Sequence, residues 1–481
     1  MTVRMRRVMD AVSVALPRSR RAMLAAGALL SLAISGAVAL WNVSAGPLGN
    51  LNDIGTWKSR LLLILMTAAV QALLHLLVTA LHRGGYARLL LRHAALLAGF
   101  VIALLAINQK TYAFVEQLLP LIRQMDAQGL SAIGGMQTGL SSSALTIIFL
   151  ITRGPIYDMY LLKLVCIAAY CALGVLAMHA ADRNGLGIRA EVLFALCLIL
   201  PQGFMSAACA AQTDVIATAL MAASLLLLTG ERPRVWAGML LYGLAAAVSG
   251  VCLYALPLYA ALWLRGRVRG VQLAAAPALL FALQTPAILA GQAALSALAS
   301  PLRALVGVPA FAAGAPNIMC AFPRAAMEEM PEYFMLSKLP DLDPVTNFSP
   351  YYTQESFALV MIGLSLAGIS LYAMALALLS KRQMSPLAKG FAAALAALLV
   401  SPGATAGSWL FAAVIALYAI LTEPRLRVPA CVVIFSAMCA AAYPVTGESM
   451  LPMEAAMLLC LAALFDLLGM FDANRKEGLR A

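Results

Sequence analysis

Charged side chains are scarce. Asp, Glu, Lys and Arg make up 11% of the 481 residues, against about a quarter in average soluble domains. So little charge cannot cover the surface of a water-soluble domain of this length. Histidine is rarer still. The four are His75, His82, His93 and His179, and no pair has metal-ligand spacing. There is no CxxC and no His/Cys cluster, so neither a structural metal site nor a disulfide framework is indicated. The cysteines lie mostly inside apolar runs, at Cys166, Cys171, Cys197, Cys209, Cys252, Cys431, Cys439 and Cys460; Cys320 alone reads as loop-borne. There is no clear internal repeat and no low-complexity tail. No pattern asks for a cofactor.

What fills the chain is apolar. Hydrophobic residues make up 63% and the mean hydropathy is +0.90. Runs of about 18 or more apolar residues recur from end to end, the pattern of membrane-spanning helices. Lipid offers the backbone no hydrogen bonds, so the spans must be helical. The net charge of +12 raises the question of nucleic acid. The basic residues, however, sit in short loops between apolar runs, which is positive-inside patterning. The expected partner is the lipid bilayer, not nucleic acid.

The charge pattern predicts a topology. "MTVRMRRVMDAVSVALPRSRRAM" carries Arg4, Arg6, Arg7, Arg18, Arg20 and Arg21 against Asp10 alone, which places it in the cytoplasm. The apolar stretch 22–41 exceeds a signal-peptide core of about 7–15 residues and reads as an uncleaved first span. Further spans are expected near 61–82, 89–107, 156–179, 189–208, 213–229, 235–249, 250–264, 271–291, 355–379, 387–401, 408–421, 428–444 and 450–470. The segments "HRGGYARLLLRH", "HAADRNGLGIR", "TGERPR", "RGRVRG", "SKRQ", "TEPRLR" and "NRKEGLR" then all fall inside, as do both termini. The expected architecture is an all-α polytopic cell-membrane protein of about 14 transmembrane or re-entrant helices. It divides into a basic N-terminus (1–21), an N-terminal helix pair (22–88), a transmembrane core (89–445) with long outer loops at 108–155 and 292–354, and a last span with a cytoplasmic tail (446–481).

Polar chemistry gathers on the outer side. In 108–155, Phe114, Leu118, Leu121 and Ile122 share a helical face, which predicts a helix lying on the outer leaflet. "ALTIIFLI" (144–151) is too short to span. "AAQTD" opens an apolar run with Gln212 and Asp214, and an ionised carboxylate there is costly unless it has work to do. That work is either capping the helix N-terminus or contacting a substrate. "RGPIYDMYLLKL" places Arg153, Tyr157, Asp158 and Lys163 at another outer entry. "GAPNIM" adds Asn317. A site built from these pieces suits a substrate with a polar head and a long apolar tail.

In this order the pieces resemble the integral-membrane glycosyltransferases of the C superfamily, in their mannosyl- and glucosyltransferase branches. Their motif Y-P-P-x-Y-x-Y-L-L-K is matched at Pro155, Tyr157, Tyr160, Leu161, Leu162 and Lys163 with one extra residue between the tyrosines, and with Arg153 and Gly154 replacing its start. Their N-P-x-x-x-x-x-S-A-x-W-G-Q-T-D is matched at Pro201, Gln212, Thr213 and Asp214 and, one position early, at Ser206 and Ala207, while Cys209, Ala210 and Ala211 depart around the Trp-Gly. Ala237, Gly238, Gly243, Leu244 and Ala245 match A-G-x-x-x-G-L-A with four residues in place of three between the glycines; Ser249 and Gly250 stand where a lysine usually follows. Ala315, Pro316, Asn317 and Ile318 match A-P-N-[IL]. The resemblance covers roughly residues 89–445. The late Pro-x-x-His-Glu-Arg-Tyr segment of some relatives has no counterpart in "SPGATAGSWLF" (401–411).

The resemblance implies transfer of a sugar from a polyprenyl-phosphate donor to an acceptor at the outer face. Such chemistry needs a carboxylate base, cations for the phosphate leaving group and an apolar groove for the tail. Asp53, Glu116 and Asp126 are the candidate bases. Arg153, Tyr157, Asp158, Lys163, Gln212, Asp214 and Asn317 are the candidate substrate contacts. Two other readings stay open: a catalytically degenerate relative of the same fold, and a transporter or flippase for a lipid-linked sugar.

Overall fold

The structure is a computed structural model. It describes residues 27, 29–39, 57–107, 109, 111–135, 140–152, 158–230, 233–295, 297, 314–318, 333–334, 352–353, 368, 386–400 and 404–480. Asp53, Arg153, Tyr157, most of the 292–354 loop and nearly all of the span expected at 355–379 lie outside these residues.

Among the described residues the chain is helical apart from one short antiparallel pair, Tyr333–Phe334 with Tyr352–Thr353. The principal helices are α1 (Leu29–Ala39), α2 (Trp57–Leu81), α3 (Tyr86–Leu105), α4 (Leu119–Gln128), α5 (Ser142–Thr152), α6 (Asp158–Arg183), α7 (Ile188–Ile199), α8 (Asp214–Thr229), α9 (Val235–Val248), α10 (Leu256–Leu264), α11 (Ala275–Leu289), α12 (Pro386–Val400), α13 (Trp409–Thr422), α14 (Arg427–Ala441) and α15 (Met453–Arg480).

Among the described residues, five helices are long and apolar enough to cross a membrane: Leu61–Leu81, Tyr86–Leu105, Tyr160–Arg183, Gly270–Leu289 and Pro424–Thr446. A sixth results if Ile188–Ile199 and Pro201–Cys209, bent by 45°, count as one span. Leu29–Ala39, Ser142–Ile151, Asp214–Thr229, Val235–Val248, Leu387–Val400 and Ala406–Thr422 are shorter apolar helices. Many expected spans are therefore present as helices that fall short of a full crossing. The reason is local: proline, small polar residues and glycine break the apolar runs at Leu200–Pro201, Ser249–Gly250 and Ala404–Ser408.

Among the described residues the helices share five buried apolar cores, of which three join most of the bundle. One joins α6, α8, α12, α13, α14 and α15 around Trp409 and Phe391. Another joins α1, α2, α3, α6 and α7 around Phe100 and Phe194. The third joins α8, α9 and the turn at 250–255. Helix α6 contributes to three cores and is 72% buried over its apolar window, while α2 is only 28% buried. Thus α6 is the central post and α2 a peripheral helix, with Leu65, Leu73 and Leu76 exposed.

The basic segments 82–93 and 179–189 meet the ends of α8 and α13 at one end of the bundle. Arg92 binds Asp182 and Glu191, Arg183 donates to the carbonyls of Leu226 and Thr229, and Arg189 donates to that of Leu421. Asp214 starts the same helix that Thr229 ends, so it lies at the other end, about 24 Å away at 1.5 Å per residue.

The segment before α5 departs from its expected form. Residues 113–118 form a π-helix that runs into α4. Phe114, Leu118 and Ile122 do share a face, but that face packs with Met125 against Leu145, Ile148 and Phe149 of α5, Leu162 of α6 and Ala211. It lies on protein, where an interfacial helix would present its apolar face to lipid.

Candidate functional site

Three interruptions of regular helix converge on Asp214. The first lies between α7 and α8. Leu200 is extended, Pro201 starts a single helical turn, and residues 205–209 widen into a π-helix. Such turns recur at functional sites. Ala211 then adopts φ 55°, a left-handed conformation uncommon for a residue with a Cβ. The second is the extended Ser249 that ends α9. The third is the stretch 404–408 before α13.

Each interruption delivers a polar group. Ser249 Oγ donates to Asp214 Oδ1 at 2.6 Å, and Thr405 Oγ1 donates to Oδ2 at 3.0 Å. Both carboxylate oxygens thus receive a hydroxyl. Helix capping does not explain the residue: Thr213 is the N-cap, and no side chain caps this helix. Asp214 is the first helical residue, and its carboxylate reaches across to two other chain segments. The dipole of α8 still favours the negative charge at this terminus.

Gly407 completes the enclosure. A Cβ there would stand 2.6 Å from Asp214 Oδ2 and 2.7 Å from Gln212 Oε1. Only a glycine backbone can approach both side chains this closely. Around it lie buried polar atoms without hydrogen-bond partners: Gln202 Oε1, Ser206 Oγ, Gln212 Oε1 and Trp409 Nε1. They are linked through one frame. Gln202 Nε2 donates to Ala406 O at 3.4 Å, and Gln212 N donates to Ser206 O at 2.9 Å. Unpaired buried polar atoms are costly, so their concentration beside one carboxylate singles this place out as the candidate site.

The neighbouring pieces hold this frame. Cys166 Sγ of α6 donates to Gln212 O at 3.6 Å. One turn earlier, Lys163 is fully buried. Its ammonium donates to Ile107 O at 2.9 Å and Gln109 O at 2.5 Å and lies 5.8 Å from the Phe114 ring centroid. Lys163 therefore ties the end of α3 and the π-helix to α6. Thr111 Oγ1 donates to Cys209 O at 3.3 Å, joining the same strip to the broken helix. Asn317 is buried, and Ala315 belongs to the core that also contains Val215 and Ala404. The Gly314 backbone lies so close to Tyr443 that a Cβ would overlap the ring.

The structure thus brings Gln212 and Asp214 together, sets Lys163 one turn from their floor, and seats the Ala315–Asn317 strip in the same core. Asp126 is exposed on α4. Glu116 and Asp158 lie on described backbone, but their side chains are outside the described residues, as are Asp53, Arg153 and Tyr157 entirely. Sequence reasoning missed Ser249, Thr405, Gly407 and Gln202 as members of the site. Their signal was present as small polar residues interrupting apolar runs. No protein family, curated protein or solved structure matches the chain.

Proposed function

We propose that the chain is a multi-pass membrane protein of the glycosyltransferase-C type. In this reading its apolar runs cross or dip into the cell membrane about 14 times, with both termini in the cytoplasm. It handles a polyprenyl-phosphate sugar at the outer face. The carrying observation is the convergence of the Gln212–Asp214 segment with two other chain breaks around unpaired buried polar atoms. The left-handed Ala211 adds support, because it stands beside Gln212 where the resembled motif has Trp-Gly.

In this reading Asp214 orients rather than deprotonates, since both its oxygens already accept hydroxyl hydrogens. The orphan amide and hydroxyl oxygens of Gln202, Ser206 and Gln212 meet sugar or acceptor hydroxyls, and Asn317 closes the same side. Arg153 and Tyr157, at the entry to α6, meet the phosphate, and Asp158 meets a sugar or acceptor hydroxyl. One of Asp53, Glu116 and Asp126 takes the acceptor proton as the acceptor oxygen attacks the anomeric carbon and the polyprenyl phosphate leaves. A second reading, transport of a lipid-linked sugar, is favoured by the unwound backbone itself, because broken helices build many transporter sites. A degenerate transferase would keep the same binding frame and lack the base.

The test uses the purified full chain in liposomes with radiolabelled polyprenyl-phosphate mannose and glucose. Transfer to an acceptor supports the transferase. Donor retention without transfer supports the degenerate binder, and movement of donor between leaflets supports the transporter. Absence of donor binding in the parent overturns the proposal.

A further inference from the structure

His75 and His93 sit on different helices and meet Nδ1 to Nδ1 at 2.7 Å. A contact this short between two ring nitrogens is a hydrogen bond with one proton between them. It is too short for two ligands of one zinc ion, whose nitrogens at about 2.0–2.1 Å on a tetrahedron stand about 3.3 Å apart. The bond belongs to a chain. Gln71 Nε2 donates to Ser31 Oγ at 2.6 Å, and Ser31 Oγ lies 2.9 Å from His75 Nε2. Thr79 Oγ1 lies 3.4 Å from His93 Nε2 and donates to His75 O at 2.9 Å.

The chain has a direction. Thr79 Oγ1 gives its hydrogen to His75 O and therefore accepts from His93 Nε2, which leaves His93 Nδ1 to accept and His75 Nε2 to receive the Ser31 hydrogen. His75 then carries its hydrogen on Nδ1 and gives it to His93 Nδ1. His93 carries its hydrogen on Nε2, facing Thr79. Both rings are neutral, and every ring nitrogen is used. The chain clasps α1, α2 and α3 together, and α1 brings the Ser31 hydroxyl to the polar contact.

We propose that His75 and His93 act as one proton-binding clasp between α1–α2 and α3, closed while the couple holds at most one extra proton and opened by a second. The first proton from water binds His75 Nε2. Ser31 turns its hydrogen away and accepts, and the Nδ1–H···Nδ1 bridge persists. The next must bind His93 Nδ1, which sets N–H against N–H at the bridge and breaks it.

The surroundings tune but do not replace this pair. Arg88 and Arg92 share α3 with His93; Arg92 is committed to Asp182 of α6 and Glu191 of α7. His179 and Arg183 lie on α6, and His82 and Arg83 on the connecting turn. His179 bonds Leu81 O and His82 bonds Arg92. The inference is independent of the sugar chemistry, because the couple lies at the basic end of the bundle, away from Asp214.

The test is ring-nitrogen NMR on the full chain in lipid nanodiscs with labelled histidine, assigned by His82→Asn and His179→Asn. The expected result is that His75 and His93 titrate jointly in two steps more than about one pH unit apart. Backbone hydrogen exchange over the facing parts of α2 and α3, 71–79 and 89–97, should stay protected through the first step and lose protection at the second. His93→Asn keeps an acceptor for His75 and should abolish the second step. Should that variant fail to fold, Ser31→Ala removes the Nε2 partner and should move the first step alone. Independent single titrations of the two rings, or exchange over 71–79 and 89–97 that ignores pH, would overturn the proposal.

Discussion

Asp214 and Ser249 stand 35 residues apart in sequence and share a 2.6 Å hydrogen bond, which joins the N-terminus of α8 to the C-terminal end of α9. Thr405 closes the other side of the same carboxylate. One acid therefore fixes three chain breaks relative to each other. Asp214→Ala should leave two hydroxyls without their acceptor and destabilise the protein by about 1–3 kcal/mol. Asp214→Asn should cost less, because one carbonyl oxygen still accepts. Thermal unfolding in detergent measures both, and equal midpoints for parent and Asp214→Ala would refute the bridging role.

A second prediction concerns Arg92. Its guanidinium is fully buried and holds Asp182 at 2.7 and 2.9 Å and Glu191 at 2.7 Å. Arg92→Met leaves two carboxylates without their buried partner, which costs about 3–5 kcal/mol. The triple change Arg92→Met, Asp182→Leu, Glu191→Leu removes the charges together and should recover most of that loss. Comparing the unfolding midpoints of the single and triple variants decides it. A triple variant as unstable as the single would show that packing, not unpaired charge, dominates.

His82 gives a pH dependence with a definite sign. It accepts a hydrogen bond from Arg92 at 2.8 Å. Burial first, and the Arg92 charge second, lower its pKa from the ordinary histidine value of 6.5. The folded state thus prefers neutral His82, and the unfolded chain binds its proton more readily. The stabilisation is fully present above about 6.5 and fades as pH falls through and below that value. Unfolding followed from pH 8 to 5 should show a shallower loss in His82→Asn than in the parent. A steeper loss in the variant would reverse the assignment.

Much of the helix pattern is legible in the sequence. The expected spans 213–229, 235–249 and 408–421 coincide within a residue or two with Asp214–Thr229, Val235–Val248 and Trp409–Thr422, because apolar runs bounded by polar or glycine residues leave little freedom. The breaks are less legible. Hydropathy averages over Pro201 and the π turn, so 189–208 reads as one span where the chain bends by 45°. Gln212 and Asp214 are visible as misfits in an apolar run, but their partners are not. Ser249 and Thr405 are ordinary small residues whose role depends on which helix ends meet. His75 and His93 likewise have no ligand spacing in sequence and become a pair only when α2 and α3 pack.

Lys163 offers a test of an anchoring role. Both carbonyls it binds, on Ile107 and Gln109, belong to the strip leading into the π-helix. Lys163→Met keeps the length and apolar stem of the side chain but removes the donors. Hydrogen exchange should rise over 107–118 and stay unchanged over α8. Unaltered exchange over 107–118 would mean that packing of Phe114 and Leu118 holds the strip without the ammonium.

The sharpest probe of the Asp214 site adds one carbon. Gly407 has no side chain to lose, so Gly407→Ala removes no hydrogen bond directly. It inserts a methyl 2.6 Å from Asp214 Oδ2 and 2.7 Å from Gln212 Oε1, well inside normal contact. The neighbours are side chains, which can turn away more easily than backbone can move. Asp214 must then leave Thr405 or tilt from Ser249, and the space beside the orphan oxygens of Gln202 and Gln212 fills. The fold should survive with a cost of about 1–3 kcal/mol, the usual range for overpacking, while donor binding falls by more than tenfold, about 1.4 kcal/mol or more. The decisive comparison is the affinity for radiolabelled polyprenyl-phosphate sugar beside the unfolding midpoint. Binding lost with the fold retained locates the guest next to Asp214. Binding retained with the methyl in place puts the guest elsewhere and reduces the carboxylate to a tie between three helix ends.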